Sequence, residues 1–317
     1  MTEMLERVET AMEPAGVAHD VVRVRTGIVN CFLVGQPGAG DRGWVLVDAG
    51  MQGFGHTIER AARERFGQAR PAAIVLTHAH FDHVGALREL AEAWDAPVYA
   101  HPLELPYLTG RAKYPPPDPT VGGGAMARLS PLYPRGPVDL TGRVLRLPED
   151  GTVPGMPGWA WVFTPGHSPG HVSFWRESDA VLLVGDAFVT TKQESLLAAL
   201  EQRPEMHGPP MYFTQDWEAA RASVKRLAAL APEVVATGHG PPLRGRVMRE
   251  ALELLASDFE ALAVPRDGRY VRAPALFDEH GPVSVPPPVN DPTLWIAGAA
   301  VALVLGFAVG SRLRRRR

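Results

Sequence analysis

Residues 77–85 read Thr-His-Ala-His-Phe-Asp-His-Val-Gly, and this stretch decides how the rest of the chain is interpreted. It places four potential metal ligands within six positions, namely His78, His80, Asp82 and His83. Neutral imidazole and carboxylate are the usual protein ligands of zinc and similar divalent ions. The apolar run before them predicts a buried strand, so the four side chains would follow its C-terminal end, where α/β proteins build their sites. We therefore predict a metal-binding loop here.

Three further apolar runs end in a side chain of the same ligand types. His167 follows a Pro-Gly turn, Asp186 ends an apolar run, and His239 stands between two glycines, which let the backbone turn sharply toward an ion. Each of them alone is a weak signal, because a single His or Asp at a strand end is more often a cap or a turn residue. Together, however, these three and the first loop make four strand ends that carry such side chains at one edge of a sheet. They predict seven metal ligands, a number that suits two ions.

Strands and helices alternate along most of the chain, and this indicates the α/β class. The predicted strands cover residues 28–33, 44–47, 73–77, 97–100, 159–163, 172–175, 181–184 and 234–237. The predicted helices cover residues 57–66, 85–94, 217–230 and 247–262. This alternation does not distinguish one doubly wound sheet from two packed sheets.

The cluster His-x-His-x-Asp-His, followed by a separate His, Asp and His, resembles the metallo-β-lactamase fold hydrolases over roughly residues 18–263. The resemblance implies an α/β (α+β) fold, an αββα four-layer sandwich of two mixed sheets with helices outside. It also implies two divalent metal ions, with zinc expected first and iron or manganese as alternatives. Its first metal site would be His78, His80 and His167, its second Asp82, His83 and His239, and Asp186 would bridge both ions.

Further residues match supporting positions of that family. Asp48 is interpreted either as a carboxylate that orients a ligand or as a simple turn residue, and Asn30 is a weaker candidate. His171 is either a support of the site or the first residue of a strand. Three residues of irregular segments are candidates for a substrate pocket, namely Tyr114, His207 and Tyr212.

The implied chemistry is hydrolysis by a hydroxide that bridges the two ions, with Asp82 as the catalytic residue that steers it or takes its proton. The Thr-His-x-His-x-Asp-His stretch and the Gly-His-Gly ending resemble the glyoxalase II-like group in particular. That resemblance implies a small-molecule thioester, ester or lactone as substrate. A phosphodiesterase of the same fold, a mononuclear iron dioxygenase and a non-catalytic metal-binding sensor stay open as alternatives.

The net charge of −3 conceals an asymmetry along the chain. Five arginines lie within residues 312–317, and the rest of the chain carries 27 basic against 35 acidic side chains. An acidic body does not suit binding to a phosphate backbone, so no nucleic-acid partner is expected. The oligomeric state is left open.

Composition divides the chain into five segments. These are an N-terminal extension (1–17), a hydrolase domain (18–264) with a loop-rich cap insert (about 102–157), a Pro-rich linker (265–292), a membrane-spanning helix (293–311) and an Arg-rich tail (312–317). Residues 294–310 carry no charge and would span about 25 Å as a helix, close to the thickness of a bilayer core. This predicts a membrane-anchored protein. Because the N-terminus lacks a secretory signal, the catalytic domain is expected on the cytoplasmic side, although the arginine tail conflicts with the positive-inside rule.

Overall fold

Two mixed β-sheets face each other in the computed structural model, which describes residues 16–289. The first sheet has seven strands in sequence order: β1 Gly16–Ala18, β2 Val21–Thr26, β3 Val29–Val34, β4 Val45–Val47, β5 Ala73–Val75, β6 Val98–Ala100 and β7 Val144–Arg146. Strands β1 to β4 pair antiparallel, and β4 to β7 pair parallel. The last strand lies inside the predicted cap insert, so that insert is partly built into the sheet.

The second sheet has five strands in the order β12-β11-β10-β9-β8. Their bounds are β8 Trp159–Phe163, β9 Val172–Arg176, β10 Val181–Gly185, β11 Val234–Thr237 and β12 Leu243–Arg244. Only β10 and β11 pair parallel. A separate hairpin consists of β13 Leu276–Asp278 and β14 Gly281–Ser284.

Successive side chains of the central strands point to opposite faces and enter different cores. In β4, Val45 and Val47 belong to the core between the sheets, whereas Leu46 belongs to the core on the outer face. In β10, Leu183 faces the other sheet and Leu182 faces outward. Both faces of these strands are buried, which explains why they read as continuous apolar runs in the sequence.

Helices cover the outer faces of both sheets and complete the four layers. Helices α1 and α2 contribute Ile58 and Leu87 to the core outside the first sheet, and α6 and α7 contribute Val224 and Leu252 to the core outside the second. The helices are α1 Gly55–Phe66, α2 Leu87–Ala93, α3 Leu105–Leu108, α4 Ala125–Leu129, α5 Leu196–Glu201, α6 Trp217–Ala229, α7 Gly245–Ser257, α8 Phe259–Leu262 and α9 Arg269–Arg272. The structure thus has the two mixed sheets with outer helices, which the alternation of elements alone could not specify.

The predicted membrane-spanning helix is contradicted. Over residues 16–289 no helix is both long and apolar enough to cross a membrane, since the longest, α6 and α7, have 13 residues each and extend only about 20 Å. The predicted span at 293–311 lies outside the described residues. The predicted fold class is therefore corrected to the sandwich that residues 16–289 form, and the predictions of a membrane partner and of a membrane-anchored protein with a cytoplasmic domain are contradicted with it.

The range predicted as a Pro-rich linker also differs from expectation. Between residues 265 and 286 the chain forms α9 and the β13–β14 hairpin. The Tyr270 side chain is buried in the core outside the second sheet, and its hydroxyl donates to the carbonyl of Pro116. Prolines at the ends of short elements gave this segment the composition of a linker, although apolar burial holds it on the domain.

Candidate metal centre

Five strands deliver the predicted site residues to one edge of the sandwich. Asp48 follows β4, His78 follows β5, His167 follows β8, Asp186 follows β10 and His239 follows β11. Because β4 and β5 pair parallel, and so do β10 and β11, their C-terminal ends lie at the same edge of their sheets. The loops that leave them therefore converge.

All seven predicted ligands meet there in three overlapping sets whose donor atoms lie within 4.8 Å of one another. These sets are His78 with His80 and His167, His78 with His83 and Asp186, and Asp82 with His83 and His239. Every one of these residues is buried. We call His78, His80 and His167 the first group, and Asp82, His83 and His239 the second group.

The first group consists of three neutral imidazoles. Nδ1 of His80 lies 2.9 Å from Nε2 of His167, and the His78 ring meets the His80 ring edge-on with centroids 4.7 Å apart. Burial lowers the pKa of all three side chains, that of His167 to about 3. The three imidazoles are therefore neutral near pH 7, and each has one ring nitrogen without a proton that can offer a lone pair.

Asp186 stands between the two groups. Its Oδ2 lies 3.5 Å from Nε2 of His167 in the first group and 3.1 Å from Nε2 of His239 in the second. Its Oδ1 lies 3.5 Å from Nε2 of His83. Within the second group, Oδ2 of Asp82 lies 3.4 Å from Nε2 of His239. One carboxylate thus faces ligand atoms of both groups.

The second group has a different electrostatic character. Burial lowers the pKa values of His83 and His239, but the charge of Asp186, the charge of Asp48 or Asp82 and the hydrogen bonds to carboxylates together outweigh burial and raise both pKa values. Burial raises the pKa of the Asp82 carboxyl. Burial also opposes ionisation of Asp186, yet the charges of His239 and His83 hold its pKa well below the usual value. The carboxylate of Asp186 therefore places negative charge beside the imidazoles of the second group, and a divalent cation there would neutralise it.

Four of the converging atoms are buried and have no hydrogen-bond partner within residues 16–289. They are Nε2 of His78, of His80 and of His83, and Oδ1 of Asp186. An unpaired buried polar atom costs about 1–3 kcal/mol, so this arrangement requires a further partner. Imidazole and carboxylate donors suit zinc, iron or manganese. The residues present therefore fit divalent metal ions.

Asp48 supports both groups from behind. Its Oδ1 accepts the backbone N–H of Thr77 at 2.8 Å, and its Oδ2 accepts the Thr77 hydroxyl at 2.8 Å and faces Nδ1 of His83 at 2.9 Å. The Thr77 oxygen in turn lies 3.0 Å from Nδ1 of His78. Because that hydroxyl donates to Asp48, it accepts from His78, which leaves the lone pair of His78 on Nε2. The backbone of Asp48 is left-handed, with φ 58°, an unfavourable conformation that these contacts stabilise.

His171 and Asn30 hold the backbone of two other ligands. Nε2 of His171 accepts the backbone N–H of Asp186 at 2.8 Å, and burial lowers the pKa of this imidazole to about 3. The amide of Asn30 donates to the carbonyls of Thr237 at 2.9 Å and Gly240 at 2.7 Å, on both sides of His239. Both residues thus position a ligand loop without supplying a ligand.

Gly238 shows how tightly the second group is packed. A Cβ atom at this position would lie 2.1 Å from Oδ1 of Asp186 and 2.6 Å from Cε1 of His83. Any side chain here would displace one of them. The glycine before His239 is therefore required by close approach rather than by a turn.

Tyr114, predicted as a pocket residue, lies beside the first group. Its ring is buried against His80 at 4.4 Å, and its hydroxyl donates to the carboxylate of Glu104. Sequence reasoning missed Glu104, which is fully buried. The signal that could have found it is a lone carboxylate between Leu103 and Leu105 in an apolar stretch.

The other two predicted pocket residues lie in a second irregular segment. His207 pairs with Val189 in an isolated bridge, and its Nε2 lies 3.6 Å from Oε2 of Glu194. Tyr212 is buried and packs on Phe213 with ring centroids 5.0 Å apart. Neither residue lines the large cavity beside the metal loop.

Part of the cap insert packs on the metal loop. Phe81, between two predicted ligands, contacts Tyr133 and Phe213 with ring centroids 5.6 and 6.3 Å apart. Val121 and Met126 of the insert belong to the same apolar cluster. The insert therefore shields one side of the loop from water.

A cavity of about 1080 Å³ opens beside this loop. Ala79 and Phe81 of the loop form part of its wall. Its charged lining consists of three cations and two carboxylates, namely Arg88, Lys113, Arg135, Glu89 and Glu92. A ligand that carries both signs of charge would find partners here.

Comparison with known proteins agrees with this geometry. Residues 24–239 match the family model of the metallo-beta-lactamase superfamily. The probable metallo-hydrolase YflN of Bacillus subtilis (strain 168) is 45% identical over 236 residues, which are 74% of this chain and 89% of that protein. The probable metallo-hydrolase YybB of the same organism is 30% identical over 195 residues, 62% of this chain and 74% of that protein.

A solved structure with similar architecture is a beta-lactamase domain protein from Burkholderia ambifaria. It matches with a TM-score of 0.53 at 23% sequence identity and covers 79% of each chain. A likeness at this identity supports the fold alone.

Proposed function

The chain belongs to the metallo-beta-lactamase superfamily and is a metal-dependent hydrolase, and we propose that it hydrolyses a small thioester, ester or lactone at a centre of two divalent ions. The first group would hold one ion and the second group the other, with Asp186 shared between them. Zinc is the expected metal, with iron or manganese as alternatives.

One observation carries this proposal. Ligand atoms from four separate strand ends converge around Asp186, whose two carboxylate oxygens lie 3.1 to 3.5 Å from His83, His167 and His239. A single ion would not use both groups. A carboxylate that faces both is the arrangement expected of a two-ion site.

When bound, two such ions would lower the pKa of water and polarise the oxygen of the scissile group. The chain's own residues would move the proton, position the ligands and exclude water. Asp82, whose Oδ2 faces His239, would steer the attacking water or take its proton. Asp48 and His171 hold the ligands in place, and the apolar contacts of Phe81 exclude water from one side of the loop.

The cavity beside the loop supports a substrate of the glyoxalase II type. S-Lactoylglutathione, a thioester, carries two carboxylates and one ammonium group. The cavity offers three cations and two carboxylates, and its wall includes Ala79 between His78 and His80. Charged side chains of both signs favour such a ligand over a neutral one.

The test is hydrolysis by the zinc-loaded protein of S-lactoylglutathione, a simple lactone, an aryl ester and an aryl phosphodiester, each with a chelated control. We expect chelator-sensitive turnover of a carbonyl substrate at about 1–10³ s⁻¹. Turnover of the phosphodiester alone would assign the other hydrolase class. One tightly bound iron per chain with consumption of dioxygen would make it a dioxygenase, and a protein that binds metal but turns over no substrate of any class would be a sensor.

A further inference from the structure

Glu104 is a buried carboxylate that makes four hydrogen bonds and belongs to neither group. Its Oε2 accepts the backbone N–H of Ala79 at 3.0 Å and the hydroxyl of Tyr114. Its Oε1 accepts the hydroxyl of Ser168 at 2.8 Å and the backbone N–H of Gly170 at 2.7 Å. The residue ends a short 3₁₀ helix, Pro102–Glu104, that follows β6.

Three of the four donors come from the segments that carry the first group, and the fourth, Tyr114, comes from the cap insert. Ala79 lies between His78 and His80 in the loop after β5, and Ser168 follows His167 in the loop after β8. These loops belong to different sheets. Glu104 therefore joins the two segments whose relative position decides whether the three imidazoles of the first group can reach one ion.

Only a carboxylate can make this set of contacts. All four partners donate, and an ionised carboxylate has two acceptor oxygens with about four lone-pair sites and no donor. Glutamine has the same shape, but its NH₂ group would face the N–H of Ala79 or of Gly170. One of the two loops would then lose its attachment.

The fit around Glu104 leaves no room for adjustment. A Cβ atom on Gly170 would lie 2.7 Å from Cγ and 2.9 Å from Oε1 of Glu104. Gly170→Ala would therefore disturb the same contact from the opposite side.

The second group is attached differently. Asp48 contacts His83, and Asn30 contacts the carbonyls on either side of His239. Neither attachment involves Glu104 or its four partners. Loss of Glu104 should therefore affect the two groups unequally.

We propose that Glu104 is a positioning residue that holds the loop of His78 and His80 against the loop of His167, and so sets the affinity of the first group for its ion. This inference rests on the proposed two-ion function. It assigns Glu104 a selective role in one of the two metal positions.

The experiment counts metal ions and measures their affinities without substrate. Metal-free wild type, Glu104→Gln and Gly170→Ala are titrated with zinc against a chromophoric chelator, and the absorption of cobalt-loaded samples is recorded. Two tight ions in wild type are expected, with one of them weakened about 10–100-fold in both variants, the range for loss of an outer hydrogen-bond partner. The remaining cobalt spectrum should match that of His167→Ala, which lacks a first-group ligand, and not that of His239→Ala.

Asp118→Asn is the matched control. Asp118 is also buried and accepts hydrogen bonds from Thr120 and from the backbone N–H of Arg269, but it contacts none of the ligand loops. This variant should lose stability and keep both affinities. If Glu104→Gln does not fold, Gly170→Ala and Tyr114→Phe, which removes one donor, test the same contact.

Two ions at wild-type affinity in folded Glu104→Gln would overturn the proposal. So would an equal loss at both positions or a similar loss in Asp118→Asn. A wild type that binds a single ion or none would instead refute the two-ion function on which the inference rests.

Discussion

The two groups of the metal centre are built on opposite electrostatic principles. The first group is a set of imidazoles that burial keeps neutral, and the second surrounds its imidazoles with carboxylates that raise their pKa values. Their supports differ as well, since Glu104 ties the loops of the first group and Asp48 contacts His83 of the second. Asp186 alone faces both.

For the proposed centre of two ions, this difference predicts that the affinity of each metal position can be changed separately. A cation bound by neutral imidazoles gains nitrogen ligands without displacing protons. A cation bound by the second group would displace protons, because the raised pKa values of His83 and His239 favour their protonated forms. It would also neutralise the negative charge of the carboxylates. The shared carboxylate should then be the one residue whose loss damages both positions.

The largest effect is expected for Asp186→Asn. The substitution removes the charge that faces both groups and keeps the shape, so we expect kcat/KM to fall more than about 100-fold, beyond the loss typical of an outer partner, and fewer than two ions to remain bound. Steady-state kinetics and metal analysis by mass spectrometry measure both quantities. Asp150→Asn, at an exposed turn where Asp150 contacts only Thr152, is the control and should behave as wild type.

Single-ligand variants of the two groups should separate them. His167→Ala is expected to lose the ion of the first group and retain the other, and His239→Ala the reverse. Each folded variant should then bind one ion, which metal analysis after gel filtration detects. Loss of both ions from either variant would show that the groups are one cooperative site, and the distinction drawn above would be wrong.

A smaller effect is expected for Asp48→Asn. An asparagine cannot accept from Thr77 and His83 as the carboxylate does, so the orientation of His83 is weakened. We expect a loss of about 10–100-fold in affinity at the second group, where Asp48 contacts His83 directly, and a smaller loss at the first group, which Asp48 reaches only through Thr77. Competition titration against a chelator measures the two affinities. In Glu104→Gln, by contrast, the first group should be the one that loses affinity. The same affected group in both variants would contradict separate supports.

The smallest effect is expected on the pH dependence of stability and concerns His101, which precedes the 3₁₀ helix that ends at Glu104. Its ring stacks on Phe163 with centroids 4.5 Å apart, and burial lowers its pKa from 6.5 to about 4. Between these pH values the unfolded chain binds the extra proton, so the contribution to stability present above pH 6.5 is lost as pH falls toward 4. His101→Phe should therefore unfold with less dependence on pH in that window. Chemical denaturation at several pH values tests it, and an unchanged pH dependence would refute the assignment.

The convergence of the predicted ligands could be anticipated because each of them is a local signal. A His or Asp directly after an apolar run can be recognised without knowing the fold, and strand ends converge by the geometry of sheets. Glu104 could not be found this way, because its partners Ala79 and Gly170 lie 25 and 66 residues away along the chain. Its role exists only once β5, β6 and β8 are packed.

Irregular segments were the least predictable part. Tyr114 was expected in a substrate pocket because it lies in a loop-rich insert, but its hydroxyl is used by Glu104. The segment after residue 264 has the composition of a tether, yet Tyr270 is buried against the domain. The composition of a segment indicates how it would behave if it were exposed to solvent. It does not indicate which long-range contacts bury the segment.

The central claim is that the two groups act together as one binuclear centre around Asp186. The most direct test adds zinc stepwise to the metal-free wild type and follows bound metal and hydrolysis of the fastest substrate of the panel in the same samples. We predict two bound ions per chain, with hydrolysis rising mainly as the second ion binds. Full turnover at one ion per chain, unchanged by the second, would contradict it.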